Sequence, residues 1–211
     1  MKEKIIKFTK KETNLIKSIH EDCIGEKISI DECNRKYKKE YTPEDILIAR
    51  EKRVCRQEIL LEKYKSTLLT IRVNYPGINK NNYISFGIIK VLSGFVVKEF
   101  DNKTLHKEFN ITAEGPIITM IIDDDHNKVK FKAVEIEEKH LLGRCADIDV
   151  YDNKGKGLSR SELGLCKRKC YLCSDFAHNC VRSRKHSTHE IEEFIKDKFE
   201  EYYNSEQSKY L

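Results

Sequence analysis

A chain of 211 residues can build one substantial hydrophobic core, or one domain with a small appendage. Hydrophobic residues make up 39% and charged residues 36%, but 40 basic against 35 acidic side chains leave a formal charge of only +5. That balance argues against binding nucleic acid through bulk charge and suits an anionic substrate recognised locally.

The first residues, Met1-Lys2-Glu3-Lys4-Ile5-Ile6-Lys7, are charged and lack the apolar centre of a secretory leader. The apolar stretches 116–122 and 84–97 are too short, or broken by Lys90, to cross a bilayer. Eight cysteines without an export signal read as reduced thiols, which places the protein in the cytoplasm.

Residues 1–40 are rich in lysine and glutamate, with small apolar groups at Ile5-Ile6, Leu15-Ile16 and Ile28 to Ile30. They read as a partly ordered helical extension without chemistry of its own. Thr42-Pro43-Glu44-Asp45 then marks a helix start, with threonine as N-cap, proline in the first position and an acid three residues after the cap. The helix is expected to reach Tyr64, with Leu47, Val54 and Leu61 on its buried stripe and Arg50, Arg53, Arg56 and Gln57 beside it. Such an arginine stripe is ordinarily a solvated face; beside a phosphate it becomes a set of bidentate grips.

The run 68–73 predicts a strand ended by the turn Asn74-Tyr75-Pro76-Gly77, and 82–92 predicts a helix. Phe95-Val96-Val97 and 116–122 are the next strand candidates, and Asp123-Asp124-Asp125 reads as a hydrophilic stop before a helix reaching His140. In Arg144-Cys145-Ala146-Asp147-Ile148-Asp149-Val150, two aspartates stand two apart among apolar residues. If this segment is a strand, both carboxylates project from one face while Ile148 and Val150 enter the core. Such a pair needs a cation, and Mg²⁺ carrying a phosphorylated substrate is the usual one. A solvated pair at a strand end is the plainer alternative. The segment 152–155 predicts a turn into a second strand near 158–160.

Cys170, Cys173, Cys180 and His186 follow with spacing C-x2-C-x6-C-x5-H, which suits one tetrahedral Zn²⁺ with a closed, structural shell. Cys166, His178 and His189 are possible substitute ligands, and a set of packed, reduced cysteines is the alternative without metal. Ser187 and Glu190 form a capping box for a terminal helix whose apolar face is Ile191, Phe194, Ile195, Phe199 and Tyr202.

Several of these motifs occur in an order that resembles one enzyme family. Gly143-Arg144 with Asp147-Ile148-Asp149-Val150, then Ser159-Arg160 with Leu163-Gly164, then the Cys/His tail, resemble the apo-citrate lyase phosphoribosyl-dephospho-CoA transferases. Arg50, Arg53, Arg56 and Gln57, the turn from Asn74 to Lys80, Glu114-Gly115-Pro116 and Glu137-Glu138-Lys139-His140 agree, over about residues 42 to 190. Leu141 and Cys166 stand where that family usually has proline.

The resemblance implies transfer of a phosphoribosyl-dephospho-CoA group from its triphosphate precursor to a serine on the acyl carrier protein of citrate lyase, with release of diphosphate. It implies Asp147 and Asp149 as catalytic residues holding Mg²⁺, with Arg144 and Arg160, and more distantly Arg50, Arg53 and Lys80, on the phosphates. The expected fold is α+β. It has a nucleotidyltransferase-like mixed sheet with covering helices, a small C-terminal Cys/His metal knuckle and a terminal helix; the analogy rests on the acidic pair. The expected organisation is an extension over 1–40, a transferase core over 41–165, and the knuckle and helix over 166–211. Neither membrane nor nucleic acid is expected as a partner. The alternative is a zinc-knuckle module binding RNA or DNA through the basic tail from Lys167 to Lys185, although aromatic groups for base stacking are sparse there.

Overall fold

The computed structural model describes residues 7–37 and 40–207; the expectations for the first six residues, including the Ile5-Ile6 pair and the missing leader, lie outside them. Helix α1 (Lys10–Ile19) starts at a capping box in which Thr9 and Glu12 satisfy each other's backbone N–H groups. A π-helical turn (His20–Ile24) and α2 (Ile30–Lys36) follow. Phe8, Ile16, Ile19, Cys23, Ile28, Cys33 and Tyr37 are buried in the same hydrophobic cluster as the sheet. The N-terminal segment therefore supplies core, in spite of its charged composition.

Helix α3 (Pro43–Tyr64) begins as expected, with Thr42 and Asp45 capping reciprocally. Its buried stripe differs from the expected one. Leu47 and Val54 are 60% and 46% exposed, whereas Gln57, Leu60 and Leu61 are buried. Only the C-terminal half of α3 packs down, Leu60 and Leu61 meeting Leu68 and Ile121, so the seven-residue spacing does not mark a single buried face.

Next come β1 (Thr67–Val73), α4 (Tyr83–Glu99), β2 (Thr104–Thr112), β3 (Gly115–Ile122), α5 (His126–Lys139) and β4 (Ala146–Tyr151). Phe95-Val96-Val97, expected as a strand, is the last turn of α4, with Val96 completely buried. Strand β2 was not legible, because its charged and half-buried side chains hide the alternation. The strand expected near 158–160 is reduced to an isolated bridge between Tyr151 and Gly157 and a 3₁₀ turn over Ser161–Leu163. Asp125 caps α5 through Asn127 and Lys128, so the acidic triplet does end a strand and start a helix.

The sheet order is β2-β3-β1-β4 and every pair is antiparallel, so the expected mixed sheet is corrected to an antiparallel one. The reason is topological. Each helical crossover, β1-α4-β2 and β3-α5-β4, skips one strand position, and an antiparallel strand fills the gap, giving the split β-α-β connectivity of ferredoxin-like sheets. The central strands β1 and β3 are nearly continuous apolar runs; edge strand β4 alternates buried and half-buried residues.

One sheet face, with Leu69, Ile71, Val73, Ile118, Met120, Ile148 and Val150, forms the main core with α1, α4 and α5. The last helices are α6 (Ala177–Ser183) and α7 (Thr188–Gln207), the latter capped through Ser187 and Glu190 as expected. Ile195 and Phe199 of α7 are buried, and Gly87 of α4 admits the Phe199 ring: a Cβ there would lie 2.3 Å from it. The opposite sheet face carries Thr70, Arg72, Thr119, Asp147 and Asp149, and is covered only in part, by α3.

Candidate active site and metal knuckle

Antiparallel register fixes who faces whom. Asp149 pairs with Thr70 and Asp147 with Arg72 across β4 and β1, so both carboxylates and the guanidinium stand on one face. Arg72 donates to Asp149 at 2.7 Å, and Arg168, just before the knuckle, donates to Asp147 at 2.6 Å. Burial, followed by the charge of Asp149, pushes the Asp147 carboxyl above its usual range despite Arg168. One oxygen of each aspartate is held by arginine; among the described residues no hydrogen bond engages the other. Thr70 Oγ1 and Arg72 Nε are buried beside them without a partner. Two close carboxylates, one already reluctant to ionise, with orphaned donors beside them, suit a cation with a phosphate ligand.

A second layer of carboxylates fixes the cations. Glu114, buried at the β2–β3 turn, accepts from Arg53 at 2.7 Å and lies 3.5 Å from both Arg50 and Arg72. Lys80 packs against the same turn, donating to the Tyr75 carbonyl, and burial together with Arg50 and Arg72 lowers its pKa. Glu137, buried on α5, takes Arg160 and Arg168 at 2.6 Å each and accepts from Ile148 N–H at 2.8 Å. Lys130, from the same helix, donates to Ile148 C=O at 3.1 Å. The peptide groups between the two aspartates are thus gripped from both ends by α5. Gly143 lets the chain enter β4 closely, since a Cβ there would meet the Ile136 carbonyl at 2.4 Å.

Of the sequence candidates, the structure brings together Asp147, Asp149, Arg50, Arg53 and Lys80, linked through Arg72 and Glu114. Arg160 reaches Asp147 only through Glu137 and Arg168, and also pairs with Glu138 at 2.7 Å. Arg144 turns away, donating to the carbonyls of Lys169 and Cys170 at 2.9 and 2.8 Å. Arg72, Arg168, Glu114, Glu137 and Lys130 were not assigned from sequence. A lone arginine inside the apolar run of β1 was the available signal for Arg72; the others depend on contacts between distant segments.

In the knuckle, the donor atoms of Cys170, Cys173, Cys180 and His186 all lie within 4.8 Å of one another. Cys173 and Cys180 sulfurs are 3.5 Å apart, and His186 Nε2 is 3.4 Å from Cys173. A tetrahedron with bonds of about 2.3 Å has edges near 3.8 Å, so these four donors fit one metal ion. Burial raises the Cys170 thiol pKa, but the backbone N–H groups of Leu172 and Cys173 and the neighbouring sulfurs outweigh it and leave it lowered, whereas Cys180 is pushed up to about 12 by burial and its sulfur neighbours. A cation among the three thiols would relieve that conflict. Cys166 is exposed, His178 stacks on Phe176 and His189 pairs with Glu193, so the substitutes stand outside the cluster. Tyr171 stacks on Phe194 and donates to Arg144 C=O at 2.9 Å; it is engaged within the protein rather than offered to a nucleic-acid base. Among the described residues no helix is long and apolar enough to cross a membrane.

Residues 41–202 match the family described as apo-citrate lyase phosphoribosyl-dephospho-CoA transferase. Protein CitXG of Haemophilus influenzae is 32% identical over 158 residues, covering 70% of this chain and 32% of that protein. The apo-citrate lyase phosphoribosyl-dephospho-CoA transferases of Citrobacter koseri and Shigella boydii are 28% and 29% identical, over 70% and 67% of this chain. The chain spans about a third of the first relative, and the matches cover 82% and 79% of the other two.

Proposed function

Because this chain belongs to the apo-citrate lyase phosphoribosyl-dephospho-CoA transferase family, we propose that it attaches the phosphoribosyl-dephospho-CoA group to a serine of the citrate lyase acyl carrier protein. The donor is the triphosphoribosyl precursor. The serine Oγ forms a bond to the inner phosphorus, the bond from that phosphorus to the bridging oxygen breaks, and diphosphate leaves. The observation that supports this reading is the Asp147/Asp149 pair on one face of β4 with Arg72 opposite.

One of the two carboxylates, Asp147 or Asp149, would take the serine proton. Mg²⁺, held by Asp147 and Asp149, would supply charge neutralisation on the triphosphate. Arg72, with Arg50, Arg53 and Lys80 beyond it, meets the charge that grows on the departing diphosphate, and Glu114 keeps these cations in place before substrate arrives. Arg144 and Arg160 serve the phosphates indirectly, by holding the knuckle and the Glu137 junction.

Zn²⁺ is our assignment for the knuckle, from its three thiols and one imidazole; four protein ligands make it structural. We keep 41–165 as the catalytic core and 166–211 as knuckle and helix, and place the protein in the cytoplasm, where citrate lyase apo-carrier would be its partner. The antiparallel sheet would serve as a nucleotidyltransferase-type platform, by analogy with the acidic pair alone.

The test is Asp147→Asn and Asp149→Asn, each assayed for incorporation of labelled prosthetic group into apo-carrier protein. Both variants should fold normally, because Arg168 keeps Glu137 and Arg72 keeps Glu114. Transfer should fall by about a hundredfold or more, the usual scale for losing an electrostatic contribution at the transition state. Either variant working at near wild-type rate, or wild-type transfer undiminished in chelator, refutes the assignment.

A further inference from the structure

The N-terminal half of α3 stands off the sheet, and the space beneath it is a cleft of 560 Å³. That is the size range of sites for small molecules. Its walls are unlike each other. Ile48 and Ala49 give the helix side a flat apolar surface, and Glu108 and Asn110 of β2 give the sheet side hydrogen-bonding edges. Lys52 and Arg56 stand on the helical wall; Arg56 is tied to Glu108 at 2.6 Å, while Lys52 has no ion-pair partner among the described residues. Gln57, only 7% exposed, lines the cleft with an amide nitrogen that has no hydrogen-bond partner. A buried donor left unpaired costs stability unless something accepts from it.

Register ties this cleft to the aspartates. Glu108, Thr119, Thr70 and Asp149 form one row across β2, β3, β1 and β4, and Glu108 and Thr119 line the cleft. With strands spaced about 4.8 Å apart, Thr119 lies roughly 10 Å from Asp149 on the same face. Arg53 belongs to both places, lining the cleft and bonding Glu114 beside Arg72. A ligand of the cleft can therefore extend to the acidic pair without leaving the face.

We propose that the cleft under α3 binds the adenosine-diphosphate half of dephospho-CoA, with the adenine against Ile48 and Ala49 and its edge toward Asn110 and Gln57. Lys52 and Arg56 meet the diphosphate. This rests on the transfer reading above and adds to it the anchor for the part of the donor that does not react. Binding energy gathered there, far from the reacting phosphorus, is what holds that phosphorus in position for attack.

The experiment is calorimetric titration of the full-length protein with dephospho-CoA, which lacks the reacting triphosphate. Wild type should bind. Ala49→Trp, which fills the cleft, and Lys52→Glu, which changes an exposed side chain, should each weaken binding at least tenfold. Asp147→Asn should bind like wild type. Wild-type affinity in Lys52→Glu, together with that in a folded Ala49→Trp, overturns the cleft while leaving the transfer reading intact. Loss of affinity in Asp147→Asn alone also overturns it, by moving the nucleotide to β4. If the cleft variants lose binding but wild type transfers nothing from the authentic precursor to apo-carrier, the cleft stands and the transfer reading falls.

Discussion

Glu137 is the residue whose removal should test the architecture most severely. Its side chain is 4% exposed and holds three donors, the guanidinium groups of Arg160 and Arg168 and the N–H of Ile148. Glu137→Ala leaves the Ile148 N–H buried and unpaired, which costs about 1–3 kcal/mol. It also removes the common partner of two arginines. Breaking a buried pair typically costs about 3–5 kcal/mol, but Arg160 and Arg168 are 16% and 20% exposed and retain Glu138 and Asp147, so the lower end applies. A total of about 4–6 kcal/mol, at about 2–4 °C per kcal/mol for a chain of this size, lowers Tm by roughly 8–24 °C. Glu137→Gln keeps a carbonyl for Ile148 and should cost about half as much. Because the clamped peptide lies between the aspartates, both variants should also slow transfer, Ala more than Gln. Thermal unfolding and the carrier-labelling assay give the two readouts. A Glu137→Ala protein that melts within 2 °C of wild type and transfers at full rate would show that α5 does not hold the acidic strand.

Two further outcomes are expected. Protein purified without chelator should contain about one zinc per chain, and Cys173→Ser should lose it while β4 stays folded; zinc-free protein with Cys170, Cys173 and Cys180 freely reactive rules the site out. His20, buried against Tyr37 and Phe109, has a pKa lowered by burial and by Lys36, so below the ordinary value of about 6.5 the unfolded chain takes up a proton that the folded one refuses. Stability should therefore fall as pH drops below that value, and His20→Gln should flatten this part of the profile; denaturant titrations at pH 7.5 and 5.5 that show the same loss in both proteins count against it.

The placement of the two aspartates on one strand face, the Cys/His cluster and the caps of α3 and α7 were legible because each is written in a short stretch of chain. A carboxylate pair two apart on a strand, four donors within seventeen residues, and a threonine three before an acid need no knowledge of distant segments. What was missed is nonlocal. Phe95-Val96-Val97 has the composition of a strand, but α4 continues through it to Glu99, seven residues past its expected end at Leu92, with Val96 buried in the core. Leu47 and Val54 have core spacing but face solvent, and neither is among the residues that line the cleft. Arg168 stands two residues before Cys170, and only the docking of the knuckle beside β4 brings it to Asp147. Residues 1–40 read as a helical extension; what their charge hid is burial, since Ile16, Ile19 and Cys23, three and four apart over α1 and the π-helical turn, enter the core.

The outer border of β4 has a consequence for how a protein substrate can approach. An edge strand ordinarily offers its free backbone groups to any extended peptide. Here Ala146 C=O accepts from Arg168, Ile148 is capped at N–H by Glu137 and at C=O by Lys130, and Val150 C=O accepts from Leu158 N–H. An extended peptide finds these groups already engaged, so the edge does not offer a fifth-strand position next to the aspartates. On the proposed transfer reading, a carrier serine would descend onto the polar face from above, as a knob set into a surface, so that recognition would rest on the carrier's folded shape and side chains and not on its backbone.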